Sequence, residues 1–324
     1  MQVLTKSVQG KTITYTRLGL GLAAIGRPGY MNLGHGEDLP SERTPEVMLH
    51  HAIGVLDAAW AAGIRWFDTA RSYGRGEEFL RSWLQIRNVD PAQITVSSKW
   101  GYTYTANWQI DAAVHEVKEH SLARLRQQLG ESSQWLGPWL RLYQIHSATL
   151  ESGVLDNAAV LDELARLRDG GMLIGLSVTG VGQSATLEKA LTIQRGAQPL
   201  FGSVQATWNL LEPSAGVMLQ AAHQAGWFVI IKEGLANGRL TERGQEMDSP
   251  LRQWCAARSC AVDAAALAAI LAQPFVDVVL SGAAQAEQVW SNAKALEVSD
   301  VIDLPAIAES SETYWKERSG LAWK

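Results

Sequence analysis

A chain of 324 residues with 47% hydrophobic and 19% charged side chains has enough apolar surface to close a large core, and suits either two ordinary domains or one large α/β barrel. Its net charge of -5 is spread without runs of one sign, which argues against nucleic acid or an anionic membrane as the main partner. Cys255 and Cys260 make no metal-ligand or redox motif, Met1 to Ser7 lacks the apolar core of a signal peptide, and the apolar run Ala264 to Leu271 is too short to span a bilayer, so a cytoplasmic protein is expected.

Lys11 to Tyr15 alternates as a short strand after the Gln9-Gly10 turn, as in an N-terminal β-hairpin. Leu18 to Ala24 reads as a buried strand thinned by glycine, and a Gly/Pro-rich loop follows over roughly 26 to 43. Thr44-Pro45 supplies an N-cap and an N1 proline for a helix through Met48, Ala52, Val55 and Ala59 that ends at Gly63. Ile64 to Asp68 is then an apolar strand that releases an acid, with Tyr73-Gly74 just beyond.

The same unit recurs. A helix carries Phe79, Trp83 and Ile86, and Ile94 to Lys99 is the next strand. Asp111 is expected to cap a helix bearing Val114, Val117, Leu122, Leu125 and Leu129, before the strand Leu142 to His146. Asp156 is expected to cap a helix with Val160, Leu161, Leu164 and Leu167; Gly170-Gly171 ends it, and Leu173 to Val178 is strand. Further strands are expected at Ser203 to Thr207, Trp227 to Ile231 and Val276 to Leu280, with an inserted loop from Asn237 to Trp254 and a C-terminal helix and tail from Ala306. Eight strands alternating with helices imply a parallel sheet, and this length suits a (β/α)8 TIM barrel, typically ~250 residues before insertions. No low-complexity linker divides the chain, so residues 1–324 are read as one α/β domain.

The rival is a dinucleotide fold. Gly19, Gly21 and Ala24 match G-x-G-x-x-A, but a loop stands where the helix should begin. Gly180, Gly182 and Ala185 are better placed, yet no acid closes the next strand to hold a ribose.

In a barrel, side chains at the downstream strand ends meet at one rim. Asp68, Lys99 and His146 end three consecutive strands, and Tyr73 sits in the turn beyond the first. Taken singly, each has a bland explanation as a cap, a packing residue or a solvated strand end. Together they suit proton transfer to a carbonyl oxygen. A lysine lowers the pKa of a phenol, a carboxylate holds that lysine charged, and an imidazole orients the carbonyl. No HExxH-like pair or thiol cluster offers a metal site, so the hydride such a reduction needs points to a nicotinamide.

Phe67-Asp68-Thr69-Ala70-x-x-Tyr73-Gly74, Ser98-Lys99, Leu142 to His146, Ile174-Gly175-Leu176-Ser177 and Ser281-Gly282-Ala283 resemble the aldo-keto reductases, in order, from Arg17 to about Leu296. The resemblance implies that Tyr73 is the general acid-base, Lys99 lowers its pKa, Asp68 pairs with Lys99, and His146 positions the carbonyl. It implies NADP(H) or NAD(H) as cofactor, approached by Gly21, Leu22 and Ala23. Ser177 and Gln205 would hold the carboxamide, and Trp208 would stack on the nicotinamide. Lys232, Gly234, Leu235 and Ala236, with Gly282, Ala283, Ala284 and Gln285, would line the pyrophosphate and ribose, and Gln288 and Asn292 would face the adenine. The resemblance also implies that many NADP-preferring members carry Arg or Lys near Ala284 or Gln288; this chain has neither there, with Lys232 or Arg239 as candidate substitutes.

Trp100, Trp208, the loops after His146 and Ala236 and the C-terminal tail are candidates for the substrate mouth, and they favour a neutral aldehyde, ketone or sugar over a highly charged metabolite. Two alternatives to a reductase or dehydrogenase remain: a nicotinamide-binding regulatory subunit, and a barrel aldolase forming a Schiff base on Lys99. Oligomeric state has no signature in the chain.

Overall fold

The computed structural model describes residues 1–29, 35–298, 301 and 303–321. Eight parallel strands close a barrel: β1 (Leu18–Gly21), β2 (Trp66–Asp68), β3 (Thr95–Trp100), β4 (Leu140–Ala148), β5 (Leu173–Val178), β6 (Ser203–Thr207), β7 (Phe228–Lys232) and β8 (Val278–Ser281). Each pairs with its neighbours in sequence, and β8 closes on β1 through Val279–Leu18, Leu280–Gly19 and Ser281–Leu20. The strands are short and almost wholly buried because the barrel interior covers one face and helices cover the other.

The interior is packed solid towards its base. Trp66 stacks on Phe228 with ring centroids 4.8 Å apart, and Leu142, Leu173, Ile230 and Val278 fill the same layers. Gly19 leaves room for the indole: a Cβ there would lie 2.9 Å from Trp66 and 3.0 Å from Leu280 and Val278. The N-terminal hairpin, Leu4–Val8 paired with Lys11–Tyr15, seals this end. It inserts Val8, Ile13 and Tyr15 into the same cluster, and Lys6 anchors it on Asp277 at 2.8 Å.

The helices are α1 (Pro45–Ala61), α2 (Gly76–Ile86), α3 (Leu122–Leu136), α4 (Ala158–Asp169), α5 (Gln183–Thr192), α6 (Gly216–Gln224), α7 (Pro250–Arg258), α8 (Val262–Leu271), α9 (Ala286–Ala293) and α10 (Ser311–Gly320). Thr44 caps α1 by accepting from the Val47 amide, with Pro45 at N1 as its sequence requires. No single helix among the described residues is long and apolar enough to cross a membrane.

Three expectations need correction. Residues 111–118 are not helical. Glu116–Lys118 instead pairs antiparallel with Tyr102–Tyr104, and the helix starts only at Leu122, where Ser121 accepts from the Arg124 amide. Val114 and Val117, whose spacing suggested a buried face, are 55% and 50% exposed. The cap of α4 is Asn157, one residue beyond Asp156. The inserted segment after β7 is partly ordered as α7, announced by Ser249-Pro250 acting as cap and N1 residue. Both glycine motifs lie outside any open doubly wound sheet: Gly19 and Gly21 belong to β1, and Gly182 precedes α5 on a closed barrel. Residues 30–34 of the first long loop and 322–324 of the tail lie outside the described residues.

Candidate active site

Parallel strands deliver their last side chains to one end of the barrel, and side chains alternate along each strand between the mouth and the helix layer. Asp68 ends β2, Lys99 is the penultimate residue of β3, and Lys232 ends β7. Gln205, two residues short of the end of β6, sits one layer below Thr207.

Lys99 is 1% exposed and uses its ammonium on three acceptors: Asp68 Oδ2 at 2.5 Å, the Thr69 carbonyl at 3.0 Å and the Tyr73 hydroxyl at 3.3 Å. Burial pushes its pKa down, and the Asp68 carboxylate opposes that shift. The second oxygen of Asp68 accepts from Ser97 at 2.7 Å, Gln205 at 2.9 Å and Gln144 at 3.4 Å. The carboxylate thus has partners at both oxygens, and Tyr73 is reached only through the lysine.

The Tyr73 turn is clamped by the loop after β1. Arg75 N donates to Gly26 O at 2.8 Å, and a Cβ on Gly26 would meet Tyr73 O at 2.5 Å. Gly74 has φ 58°, and a Cβ there would meet Gly26 O at 2.6 Å, so glycine is needed on both sides of this contact. The buried guanidinium of Arg27 lies 5.4 Å from the Tyr73 ring centre and donates to Ser72 O at 3.2 Å and Glu116 at 3.0 Å.

His146 stands edge-on to Tyr73, with centroids 5.6 Å apart, and 4.9 Å from the Tyr102 ring. Its pKa is held well below the usual imidazole value, first by burial and then by Lys99, Arg27, Lys232 and His120. It is therefore neutral. Its Nδ1 faces the Ser72 hydroxyl at 3.4 Å; accepting there places the ring proton on Nε2. His120, lowered to about 4 chiefly by burial, contacts the His146 carbonyl at 2.9 Å.

A cavity of about 460 Å³ runs from Asp68 and Tyr73 past Lys232 and Gly234 to Gln288 and Asn292, within the size range of ligand sites. Of the residues expected to hold a cofactor, Gly21, Ala23, Gln205, Lys232, Gly234, Leu235, Gly282, Ala283, Gln288 and Asn292 line it. The others do not. Leu22 is core, and Ala236 and Ala284 are buried in the wall. Ser177 is buried with its Oγ accepting from the Ser147 amide at 2.8 Å. Trp208 follows the inward Thr207, so its ring turns outward, packs edge-on to Phe275 at 6.0 Å and abuts Gly216. It cannot stack on a ring in this cavity. Arg239 is bound to Glu309 and, at 3.2 Å, to Glu317 rather than facing the cavity. Trp100, expected at the substrate mouth, is fully buried edge-on to His120. Two of the amides after Gly282 are occupied internally: Ala283 N donates to Ser281 Oγ and Ala284 N to Gln288 Oε1.

Lys232 lies nearer the chemistry than its expected place along the pyrophosphate. Its ammonium donates to Thr207 Oγ1 at 2.8 Å, stands 3.9 Å from Glu233 and faces the Trp315 ring at 5.9 Å. Burial lowers its pKa to about 8. Glu233, despite burial, is held down to about 2 by Lys232 and Arg318, and Arg318 grips it with contacts of 2.5 and 3.2 Å. Arg27, Tyr102 and Arg318 were not singled out from the sequence. A Lys-Glu pair at a strand end was visible, but the helix α10 that completes it is about eighty residues away.

The outer end of the cavity is acidic. Asp263 and Glu287 line it with Glu242, which is paired with Arg252 at 3.1 Å, and Arg243, which is paired with Asp38 at 2.8 Å. Asp38 also accepts from Gln288 at 2.6 Å, and Asp263 accepts from Asn292 at 2.6 Å. No group of three or more His, Cys, Asp or Glu side chains among the described residues is arranged to hold a metal.

A closed (β/α)8 barrel thus gathers a buried Asp-Lys pair, a tyrosine and a neutral histidine at its strand ends, groups of the kind that barrel enzymes use for acid-base chemistry. The chain belongs to the aldo/keto reductase family, whose model matches residues 18–308. It is 24% identical over 319 residues to the NADH-specific methylglyoxal reductase of Escherichia coli (strain K12), covering 89% of this chain and 91% of that protein. An uncharacterized oxidoreductase of Bacillus subtilis (strain 168) is also 24% identical, over 75% of this chain and 81% of its own length. Among solved structures, the holo form of an aldo-keto reductase from Bacillus halodurans superposes with a TM-score of 0.67 at 17% identity, covering 98% and 96% of the two chains. The glycerol dehydrogenase of Gluconobacter oxydans gives 0.65 at 21% identity, covering 97% and 94%. These structural likenesses establish the fold.

Proposed function

We propose that the chain, acting as one barrel unit, is an NAD(H)-dependent oxidoreductase that interconverts a small neutral aldehyde, ketone or sugar with its alcohol. One observation carries the reading: the Lys99 ammonium bonds at once to Asp68 and to the Tyr73 hydroxyl, beside a neutral imidazole, at the inner end of an elongated cavity.

The cavity fits a dinucleotide. It reaches from Tyr73 to the start of α9, and a Cβ on Gly282 would meet nothing within 4 Å, so the lining there is open. Gln205 would hold the carboxamide, the backbone at Gly234, Leu235 and Gly282 would pass the pyrophosphate, and Gln288 and Asn292 would meet the adenosine. When bound, the reduced cofactor supplies a hydride, with its electron pair, to the carbonyl carbon. Tyr73 gives its proton to the oxygen, completing the alcohol. Lys99 stabilises the phenolate left behind, and Asp68 keeps Lys99 charged. His146, donating from Nε2, orients the carbonyl oxygen. The same groups run the reverse reaction. With its amine tied to three acceptors, Lys99 is poorly placed as a Schiff-base nucleophile.

The acidic outer end favours NAD(H). A 2′-phosphate beside Asp263 and Glu287 would be repelled, whereas a ribose diol can donate to a carboxylate. The NADH-specific relative supports the same choice and a small carbonyl substrate. Two free cysteines fit a reducing cytoplasm. The test is turnover across a panel of aldehydes, ketones and sugars with NADH and NADPH and, in reverse, with their oxidised forms. The expected result is carbonyl-dependent NADH oxidation, with NADPH weaker by about tenfold or more. Equal or better use of NADPH overturns the cofactor choice, and no turnover with either overturns the function.

A further inference from the structure

We propose that Lys232 is a positioned cation that tunes the bound nicotinamide, making the site hold the reduced cofactor more tightly than the oxidised one. The inference rests on the cofactor reading above. It begins from the mouth of the barrel, where Lys232 lines the same cavity as Gly21, Asp68, Tyr73 and Gln205. It lies on β7, three strands round the barrel from β2 and its tyrosine turn. The register Thr207–Lys232 places it one layer above Gln205 on the neighbouring strand, directly over the residue assigned to the carboxamide. Among the described residues Tyr73 is the one aromatic side chain in the lining, because Trp208 is turned away towards Phe275. The wall across the mouth from Tyr73 therefore presents an ammonium rather than a ring.

Its charge is only partly offset locally, because Glu233 is shared with Arg318. Asp68 is matched by Lys99 and Glu116 by Arg27. Glu233 is gripped by Arg318, leaving Lys232 3.9 Å away with a hydrogen bond to the Thr207 hydroxyl. Two cations, Lys232 and Arg318, thus share the one carboxylate of Glu233, and the group around Lys232 keeps a net positive charge. Its field reaches the tetrad, since Lys232 is among the cations that keep His146 neutral.

In the reduction, one hydride leaves the cofactor for the carbonyl carbon and one proton leaves Tyr73 for the oxygen. Lys232 opposes the formal positive charge that the ring then acquires and is indifferent to the neutral reduced ring. The site consequently favours hydride uptake from an alcohol, relative to the free cofactor. At the separations and effective dielectric of a partly buried site, a single unmatched charge biases such an equilibrium by about tenfold, or about 30 mV for a two-electron couple.

The experiment measures dissociation constants of NADH and NAD⁺ separately, without substrate, by cofactor fluorescence and by calorimetry. It uses the wild-type chain, Lys232→Met and Lys232→Arg. The expected result is a ratio Kd(NAD⁺)/Kd(NADH) about tenfold lower in Lys232→Met. The change should come from tighter NAD⁺ binding, and Lys232→Arg should keep the wild-type ratio. In the wild type the ratio should also fall as pH rises through about 8, where Lys232 discharges. That titration senses Lys232 among Thr207 on β6, Glu233, Arg318 and Trp315 on α10, and Asp68, Lys99 and His146 across the mouth. It stands even if Lys232→Met fails to fold. Affinities for both dinucleotides that move in parallel, or a ratio that ignores both the substitution and pH, overturn the proposal. Wild-type protein that binds neither dinucleotide overturns the cofactor reading and this proposal with it.

Discussion

Asp68 and Lys99 are each almost wholly buried, and neither side chain is tolerable there without the other. Lys99→Met strands the carboxylate with only neutral donors from Ser97, Gln205 and Gln144. The expected loss is about 3 kcal/mol in urea unfolding, with Asp68→Asn/Lys99→Met recovering a substantial part of it. A double variant that lost the full sum of both single changes would mean that the two act independently. The pair was legible in the sequence because Asp68 ends an apolar strand and Lys99 is the last residue but one of the next, where a barrel gathers its polar groups. Trp208 was misread at the same scale. It too follows a strand, but one residue later, and alternation turns it into the helix layer. Position near a strand end finds candidates; parity decides which of them reach the mouth.

At the scale of elements, α10 is fastened over the mouth by Arg318 on Glu233 and by Arg239 on Glu309 and Glu317. Glu233 has its pKa depressed in the folded chain, from 4.5 to about 2. Its contribution to stability is therefore complete above about pH 4.5 and disappears as pH falls towards 2. Glu233→Gln should lower stability near neutrality by on the order of 2 kcal/mol, and the gap to wild type should close in thermal unfolding curves taken at progressively lower pH. A gap independent of pH would assign the loss to packing instead. No periodicity announces this contact, because α10 is mainly polar and its partner lies on a distant strand. The strand Glu116–Lys118 was hidden for a related reason. Val114, Val117 and Leu122 mimic helical spacing, whereas the pairing with Tyr102–Tyr104 is specified across an intervening loop. The signal that the helix begins later, Ser121 as its cap, was local and present. That missed strand matters to the site, since Glu116 holds Arg27 beside Tyr73.

For the whole molecule, the barrel separates its duties along one axis. The hairpin and the Trp66–Phe228 stack close the base, and the opposite end carries both the Asp68, Tyr73, Lys99 and His146 cluster and the cavity. The alternation of eight strands and helices made this architecture readable before any contact was known, because parallel strands permit few other closures. The cofactor preference proposed above was less readable, since it would depend on Asp263 and Glu287 converging from separate segments. Gln285→Arg combined with Glu287→Lys should narrow the gap between NADH and NADPH affinity by about tenfold, mainly by tightening NADPH. An unchanged gap would place the selectivity elsewhere.

Tyr73 is the most direct test, because its hydroxyl carries the Lys99 contact into the cavity that Asp68 also lines. Tyr73→Phe removes one hydroxyl and keeps the ring against His146 and Arg27. The measurement is NADH binding by fluorescence together with steady-state carbonyl reduction by the same preparation. The account predicts NADH affinity close to wild type and turnover lowered by at least about a hundredfold. Near-native turnover in that variant, with binding intact, would contradict it.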